Sequence, residues 1–356
     1  MKVLYLTNIE VPYRVRFFNQ LASHCDLTVV YERENSLNRN EKWAHGVTKK
    51  YHVIFLKGFT MGRESGFSFQ ITNIVRQEWD VIIVGCYNTK VQMMTILMMR
   101  LLNIPYIINL DGEPFIGTGI KARVKRFFLK GARAYLVAGL CSGASLQQAF
   151  RHEINICPYY FSSLEIKEIE ENHKQLGGRT NTVLVVGQYF DYKGMDVAYQ
   201  AACQDLTIKY KFIGMGKRTE LFCQHMGSIP DNIEIVPFLQ KENLEDEYKH
   251  CSMMVLPSRQ ECWGLVINEA ASFGTPIVST WGSGAAVEFL SEDYPQYLAK
   301  PGDADSLYDC IKLCLESDNT NYSQFLKEKS GQYNIERSVG AHIALINSYG
   351  GAIKTV

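Results

Sequence analysis

The stretch LPSRQECWGLVINEAASFGTPIVSTWGSGAAVE, residues 256–288, decides the fold. The apolar run Met253 to Leu256 before it reads as a buried strand, ended by Pro257 and Ser258. Gly264 opens a helix whose apolar face carries Leu265, Val266, Ala270 and Phe273; Gly274 and Pro276 stop it. Ile277 to Ser279 is the next strand. Strand, helix, strand is the crossover of a parallel sheet. The first helical turn leaves the N–H groups of Gly264, Leu265 and Val266 without internal acceptors, and with the positive end of the helix dipole they suit a pyrophosphate. Glu269, inside the helix, offers two acceptor oxygens to a ribose diol, and Glu261, in the loop before it, can reach hydroxyls beyond the phosphates. Taken singly, either glutamate reads better as a helix-end or solvated carboxylate, since charged side chains usually sit in water.

Working outward, the same grammar repeats on both sides. After the N-terminus, Val3 to Leu6 predicts a strand, Pro12 to Leu21 a helix, Leu27 to Tyr31 a strand, and Trp43 to Leu56 an irregular piece ending in a strand. Helix Phe67 to Trp79, strand Val81 to Val84, helix Val91 to Leu102 and strand Tyr106 to Leu110 follow. Strand Tyr135 to Ala138, a small-residue turn to Ser145, a short helix to Arg151 and the run Ile154 to Cys157, then Pro158, complete a first domain, 1–160. The polar stretch 161–180, with Gly177-Gly178, reads as a linker. A second domain, 181–337, restarts at strand Thr182 to Val186, with Lys193-Gly194 before helix Met195 to Cys203. Further strands are expected at Tyr210 to Ile213 and Ile233 to Val236, a helix at Leu244 to Cys251 and another at Ser306 to Leu315. Gly282-Ser283-Gly284-Ala285 offers a further set of N–H groups, with Glu288 on the next helix. Tyr333 to the end reads as helix in two pieces. Alternating strands and helices indicate doubly wound parallel sheets, whose ligands sit at the carboxyl ends of the strands.

The chain has 356 residues, 46% of them hydrophobic and 21% charged, with zero formal net charge. That is enough for two cores, and no overall field draws it to nucleic acid or lipid. Ten scattered Cys without a CxxC pair read as free thiols in a reducing compartment, with no metal site. The N-terminus lacks a signal-peptide pattern and no apolar run is long enough to span a membrane, so a cytoplasmic location is expected.

Residues 256–288 resemble the donor-site signature of retaining glycosyltransferases of family 4, the group 1 glycosyltransferases. The resemblance rests on Pro257-Ser258, Glu261, Glu269-Ala270 and Gly274-Thr275-Pro276-Ile277-Val278. It implies an α/β protein of the GT-B fold, two Rossmann-like doubly wound parallel-sheet domains facing across a cleft, with a C-terminal helix at about 338–356 returning to the first domain. It implies transfer of a sugar from a nucleotide diphosphate sugar, most simply a UDP-sugar, to an acceptor hydroxyl with retention of configuration and without metal or other cofactor. The implied donor-binding residues are Gly187, Gln188, Lys193, Phe238, Glu261, Gly264, Leu265, Val266 and Glu269. Family members carry Arg where this chain has Gln188, and many carry His where it has Asp111. Glu261, Lys193 and Asp111 are the catalytic candidates. Tyr13, Arg14, Asp111 and Glu113 are candidates on the acceptor side, Tyr13 and Arg14 within a Pro-Tyr-Arg loop resembling that of bacterial polysaccharide transferases. Asp111-Gly112-Glu113-Pro114 reads equally well as a turn.

Between Pro114 and His152 there is no acid, while Lys121, Arg123, Lys125, Arg126, Lys130 and Arg133 crowd one amphipathic segment. It suits the surface of an anionic membrane beside a lipid-linked oligosaccharide acceptor, or is a solvated helix face. That would make the protein peripheral on the inner face of the cell membrane, in capsule or O-antigen assembly. Nucleic acid is disfavoured for want of a recognition motif. Two other readings stay open: a nucleotide-sugar epimerase of the same fold, and a non-catalytic sugar-nucleotide binding protein.

Overall fold

The computed structural model describes residues 1–33, 48–57, 59–60, 66–112, 114, 117–175 and 177–350. The chain divides into two compact units, Met1–Phe161 with Ile335–Val356, and Ser162–Asn334.

In the first unit β1 (Lys2–Ile9), α1 (Pro12–Leu21), β2 (Asp26–Arg33) and β3 (His52–Phe55) are followed by the short antiparallel pair β4 (Phe59–Thr60) and β5 (Gly66–Phe67). Then come α2 (Gln70–Val75), β6 (Val81–Val84), α3 (Lys90–Leu101), β7 (Ile107–Leu110), α4 (Gly119–Leu129), β8 (Ala134–Ala138), α5 (Leu140–Gln148) and β9 (Ile156–Tyr159). Seven strands form one parallel sheet in the order β3-β2-β1-β6-β7-β8-β9. The central strands are wholly apolar and buried, as strands covered on both faces must be: Val81 to Val84 shows no exposed residue. The order reverses between β1 and β6, so the loops after these two strands flank the switch point.

In the second unit α6 (Ile166–Lys174), β10 (Thr182–Val186), α7 (Met195–Ala202), β11 (Lys209–Ile213), α8 (Thr219–Met226), β12 (Ile233–Val236), α9 (Lys241–His250) and β13 (Met253–Val255) lead to α10 (Leu265–Ser272). They are followed by β14 (Ile277–Thr280), α11 (Gly284–Leu290), β15 (Leu298–Ala299), α12 (Ala304–Glu316) and α13 (Thr320–Gln332); α14 (Ile335–Gly350) belongs to the first unit. The sheet is again parallel, in the order β12-β11-β10-β13-β14-β15, with its switch point between β10 and β13. Two parallel-sheet Rossmann-like units of seven and six strands are the expected fold class.

Several local expectations are corrected. Residues 161–180 are not a bare linker. They contain α6, whose Glu168 carboxylate accepts the Glu165 N–H at 2.8 Å, and whose Asn172 donates to Ser272 of α10 at 2.9 Å. The stretch looked polar because only one stripe of α6, with Ile169 and Asn172, is buried. The turn expected at 138–145 is the start of α5, where the small Gly143 lets the helix approach Ile156 of β9. The last strand runs through Pro158 to Tyr159, since β9 is an edge strand and one missing N–H costs it nothing there. The helix expected from Phe67 is only Gln70–Val75, where the Trp79 indole N–H takes the Ile74 carbonyl at 2.8 Å. The C-terminal segment is one helix starting at Ile335 rather than two pieces, and residues 351–356 lie outside those described. It packs on its own unit through His342 against Phe17 at 4.7 Å and Arg337 over Tyr160 at 3.9 Å. Part of the Trp43 to Leu56 segment, 34–47 included, also falls outside the described residues.

Candidate functional site

In the second unit the loops after β10, β11, β12, β13 and β14 gather at the carboxyl ends of the sheet. Two glycines fix how closely they approach. Gly194 has φ 66°, and a Cβ there would collide with the Pro257 carbonyl oxygen. Gly264 has φ 104° and caps α10, with Leu256 Cδ2 2.9 Å and Ser283 Oγ 3.2 Å from where its Cβ would stand. Both positions need a left-handed backbone that a larger residue resists. The Gln260 N–H, donating to the Tyr192 carbonyl at 3.1 Å, ties the loop after β13 to the loop after β10.

This closeness brings Lys193 and Glu261, 68 positions apart in sequence, into a direct ion pair. Both side chains are partly accessible. Among the described residues no acceptor meets the N–H groups of Leu265 and Val266, so the first turn of α10 presents amides as its position predicts. The glycine loop after β14 behaves differently from expectation. Its amides are consumed: Gly282 N–H by Thr280 Oγ1, Ser283 by the Thr280 carbonyl, Gly284 by the Glu261 carbonyl and Ala285 by the Trp263 carbonyl. The loop buttresses Glu261, pairing with it as an isolated parallel bridge. Glu288 is likewise structural, buried and accepting from Tyr333 at 2.7 Å.

Glu269 projects from α10 and accepts from Ser163 at 2.9 Å and from Tyr248 at 3.3 Å, one hydroxyl on each carboxylate oxygen. Burial raises its carboxyl above the ordinary range, and the Ser163 bond opposes that rise. A diol at Glu269 therefore shares or replaces hydroxyl partners already present. Gln188 and Phe238 stand two residues past the ends of β10 and β12, and Gly187 donates its N–H to the Ile213 carbonyl at 2.9 Å.

Sequence reading overlooked Arg259, which forms a two-pronged pair with Asp196, at 2.8 and 2.5 Å, and donates to the Asp191 carbonyl at 2.7 Å. Burial works to raise the Asp196 pKa, but the Arg259 bonds and charge bring it below the ordinary value. It also overlooked Ser163 and Tyr248. Nothing local marks any of these residues, because each acts through a partner 21 or more positions away.

In the first unit Arg14 and Asp111, 97 positions apart, form an ion pair with Arg14 buried. Arg14 also donates to the Tyr5 hydroxyl at 3.2 Å, Tyr5 donates to Asn109, and Tyr159 donates to Asp111 at 2.9 Å. Burial works against the Arg14 charge, and Asp111 together with Tyr5, Tyr13 and Tyr159 outweighs it, so the guanidinium pKa rises. Arg14 is thus the inner, structural member and Asp111 the more accessible one. Tyr13 packs edge-on to Phe161 at 5.8 Å. Glu113 lies outside the described residues.

Comparison with known proteins adds the following. An uncharacterized glycosyltransferase of Methanocaldococcus jannaschii is 24% identical over 243 residues, 67% of this chain and 66% of that protein, just under two thirds of its length. HepE of Anabaena, solved in complex with UDP-glucose, superposes with a TM-score of 0.70 at 16% identity over 98% of this chain and 99% of its own. WaaG, a glycosyltransferase involved in lipopolysaccharide biosynthesis, superposes with a TM-score of 0.66 at 13% identity over 97% and 99%. Residues 167–331, most of the second unit, match the family described as Glycosyl transferases group 1.

Proposed function

We propose that the protein is a retaining hexosyltransferase of family 4 that moves a sugar from a nucleotide diphosphate sugar, a UDP-sugar in the first instance, to an acceptor hydroxyl. The observation that carries this is the Lys193–Glu261 pair set beside the amide-bearing first turn of α10. As the bond from the anomeric carbon to the diphosphate breaks, charge grows on the leaving phosphate. Lys193 and the amides of Leu265 and Val266 stabilise that charge in a preorganised setting. Glu261, released from Lys193 by the phosphates, turns to the sugar hydroxyls, and Glu269 holds the ribose in place of the Ser163 and Tyr248 hydroxyls. No side chain serves as covalent nucleophile and no metal is needed. The test is release of UDP, GDP, ADP or dTDP from the matching sugar nucleotides, with and without a bacterial lipid-linked oligosaccharide pool. Acceptor-dependent release supports transfer. Conversion of the donor without acceptor would indicate epimerisation, and binding without turnover a non-catalytic role.

The acceptor reading rests on α4. Its inward face is Ala122 and Leu129, while Ile120, Val124 and Phe127 stand outward, 79%, 44% and 53% exposed. Arg100 of the neighbouring α3 lies over Phe127 at 5.2 Å, and Leu101 of α3 is exposed too. An apolar stripe flanked by Lys121, Arg123 and Lys130 fits an interface with anionic lipid, apolar groups in the acyl boundary and cations at the headgroups. This supports a lipid-linked acceptor and a peripheral position on the inner membrane face. Co-sedimentation with phosphatidylglycerol vesicles but not phosphatidylcholine ones, lost in Phe127→Ser, is the expected result. Equal binding to both lipids would remove the reading.

A further inference from the structure

We propose that Arg218 is a positioning residue for the donor diphosphate, supplying the cation that the neutral Gln188 does not; this rests on the nucleotide-sugar reading above. The argument begins with charge. At the carboxyl ends of the second sheet, Lys193 is matched by Glu261, and Arg259 is matched by Asp196 with Asp191 3.9 Å away. These four groups cancel and Asp191 leaves an excess of negative charge, while the ligand brings one negative charge on each of two phosphates. Arg218 differs. It has no carboxylate within 4.0 Å among the described residues.

Its location serves the same loop. The strands β10 and β11 are adjacent and in register to their ends, Val186 beside Ile213, so the turn that begins at Gly214 starts against Gly187. The Arg218 guanidinium sits over the Phe190 ring at 3.9 Å, and its Nη1 reaches the Tyr189 carbonyl at 3.4 Å, one residue beyond Gln188. Phe190 stacks in turn on Tyr192 at 5.6 Å, and the Lys193 ammonium lies 5.7 Å from the Tyr192 ring. A guanidinium resting on a ring keeps its in-plane N–H groups directed outward, the geometry that grips phosphate oxygens.

The local electrostatics also point to an anion. Arg218 is the N-cap of α8, at the positive end of that helix, where a cation is disfavoured. Lys217 beside it adds to the same sign. A cation placed against its own helix dipole conflicts with local preference, and such conflicts mark functional positions. A bound diphosphate resolves it.

The test is titration calorimetry of the wild-type chain, Arg218→Ala, Arg218→Lys and the double variant Gln188→Arg/Arg218→Ala. UDP, GDP, ADP and dTDP are each compared with the matching nucleoside. For the diphosphate that the wild type binds, Arg218→Ala is expected to weaken binding about tenfold or more while leaving the matching nucleoside unchanged. Arg218→Lys recovers part of the loss, and Gln188→Arg in the Arg218→Ala background recovers most of it. Equal diphosphate binding by wild type and Arg218→Ala overturns the inference while leaving the donor reading intact. A parallel loss of nucleoside and diphosphate also overturns it, by showing that Arg218 only holds the Phe190–Tyr192 stack. Failure of the wild type to bind any of UDP, GDP, ADP and dTDP removes the donor reading, and this inference with it.

Discussion

Acidification should loosen the C-terminal helix α14 through one residue, His342. Its ring is buried, 4.7 Å from Phe17 and 4.9 Å from Tyr159, and its Nδ1 donates to the Ser338 carbonyl at 2.8 Å. Its Nε2 is buried with no hydrogen-bond partner among the described residues. Burial lowers its pKa to about 4; the Ser338 bond resists slightly and the Arg14 charge adds to the fall. An exposed histidine titrates near 6.5, so between these two values the unfolded chain holds a proton that the folded chain refuses. Stability is therefore whole above about pH 6.5 and declines as pH falls toward 4. The full difference is about 3 kcal/mol, of which about 2 kcal/mol is already lost at pH 5. The assay is hydrogen exchange of the α14 amides at pH 7.5 and pH 5, corrected for intrinsic rates, in the wild type and in His342→Phe. The phenyl ring keeps the contacts with Phe17 and Tyr159 and removes the titration. The wild type should lose about 2 kcal/mol more than the variant over that interval, since carboxylate contributions are common to both and cancel. An identical drop in the two proteins would refute the reasoning.

Other outcomes can be checked in parallel. Glu269→Ala should raise the donor KM at least tenfold with a smaller effect on kcat, because the proposed ribose contact would be made equally in the ground and transition states; an unchanged KM would count against the ribose role. Gly194→Ala should destabilise the second unit by about 2 kcal/mol or more, from the positive φ together with the collision with the Pro257 carbonyl, and should weaken nucleotide binding by displacing Lys193. Thermal unfolding and calorimetry read both effects, and a variant with wild-type melting would show the approach to be looser than described. Incubation with EDTA should leave transfer activity intact, and loss of activity restored by Mg²⁺ or Mn²⁺ would replace the metal-free mechanism.

The sequence by itself determined the elements that periodicity and punctuation control. Apolar runs such as Val81 to Val84 can only be strands buried on both faces, and Pro12 and Gly274 mark helix ends because of fixed backbone preferences. The amides opening α10 were legible for the same reason, since any helix leaves its first turn unsatisfied. Elements whose character depends on a neighbour were not legible. Polar α6 reads as linker until α10 and α13 cover its narrow apolar stripe, and α5 reads as a turn until its small residues are seen to meet β9.

Pairing was decided only by tertiary structure. Lys193 with Glu261, Arg14 with Asp111, Arg259 with Asp196, and Glu269 between Ser163 and Tyr248 all join positions far apart in the chain. The glycine loop after β14 illustrates the point: its composition advertises free amides, yet the fold spends them on Glu261, Trp263 and Thr280. Residue type states which bonds a group is able to make. Which of them it makes depends on what the parallel sheet brings to the same end, and that is a property of strand order rather than of any local stretch.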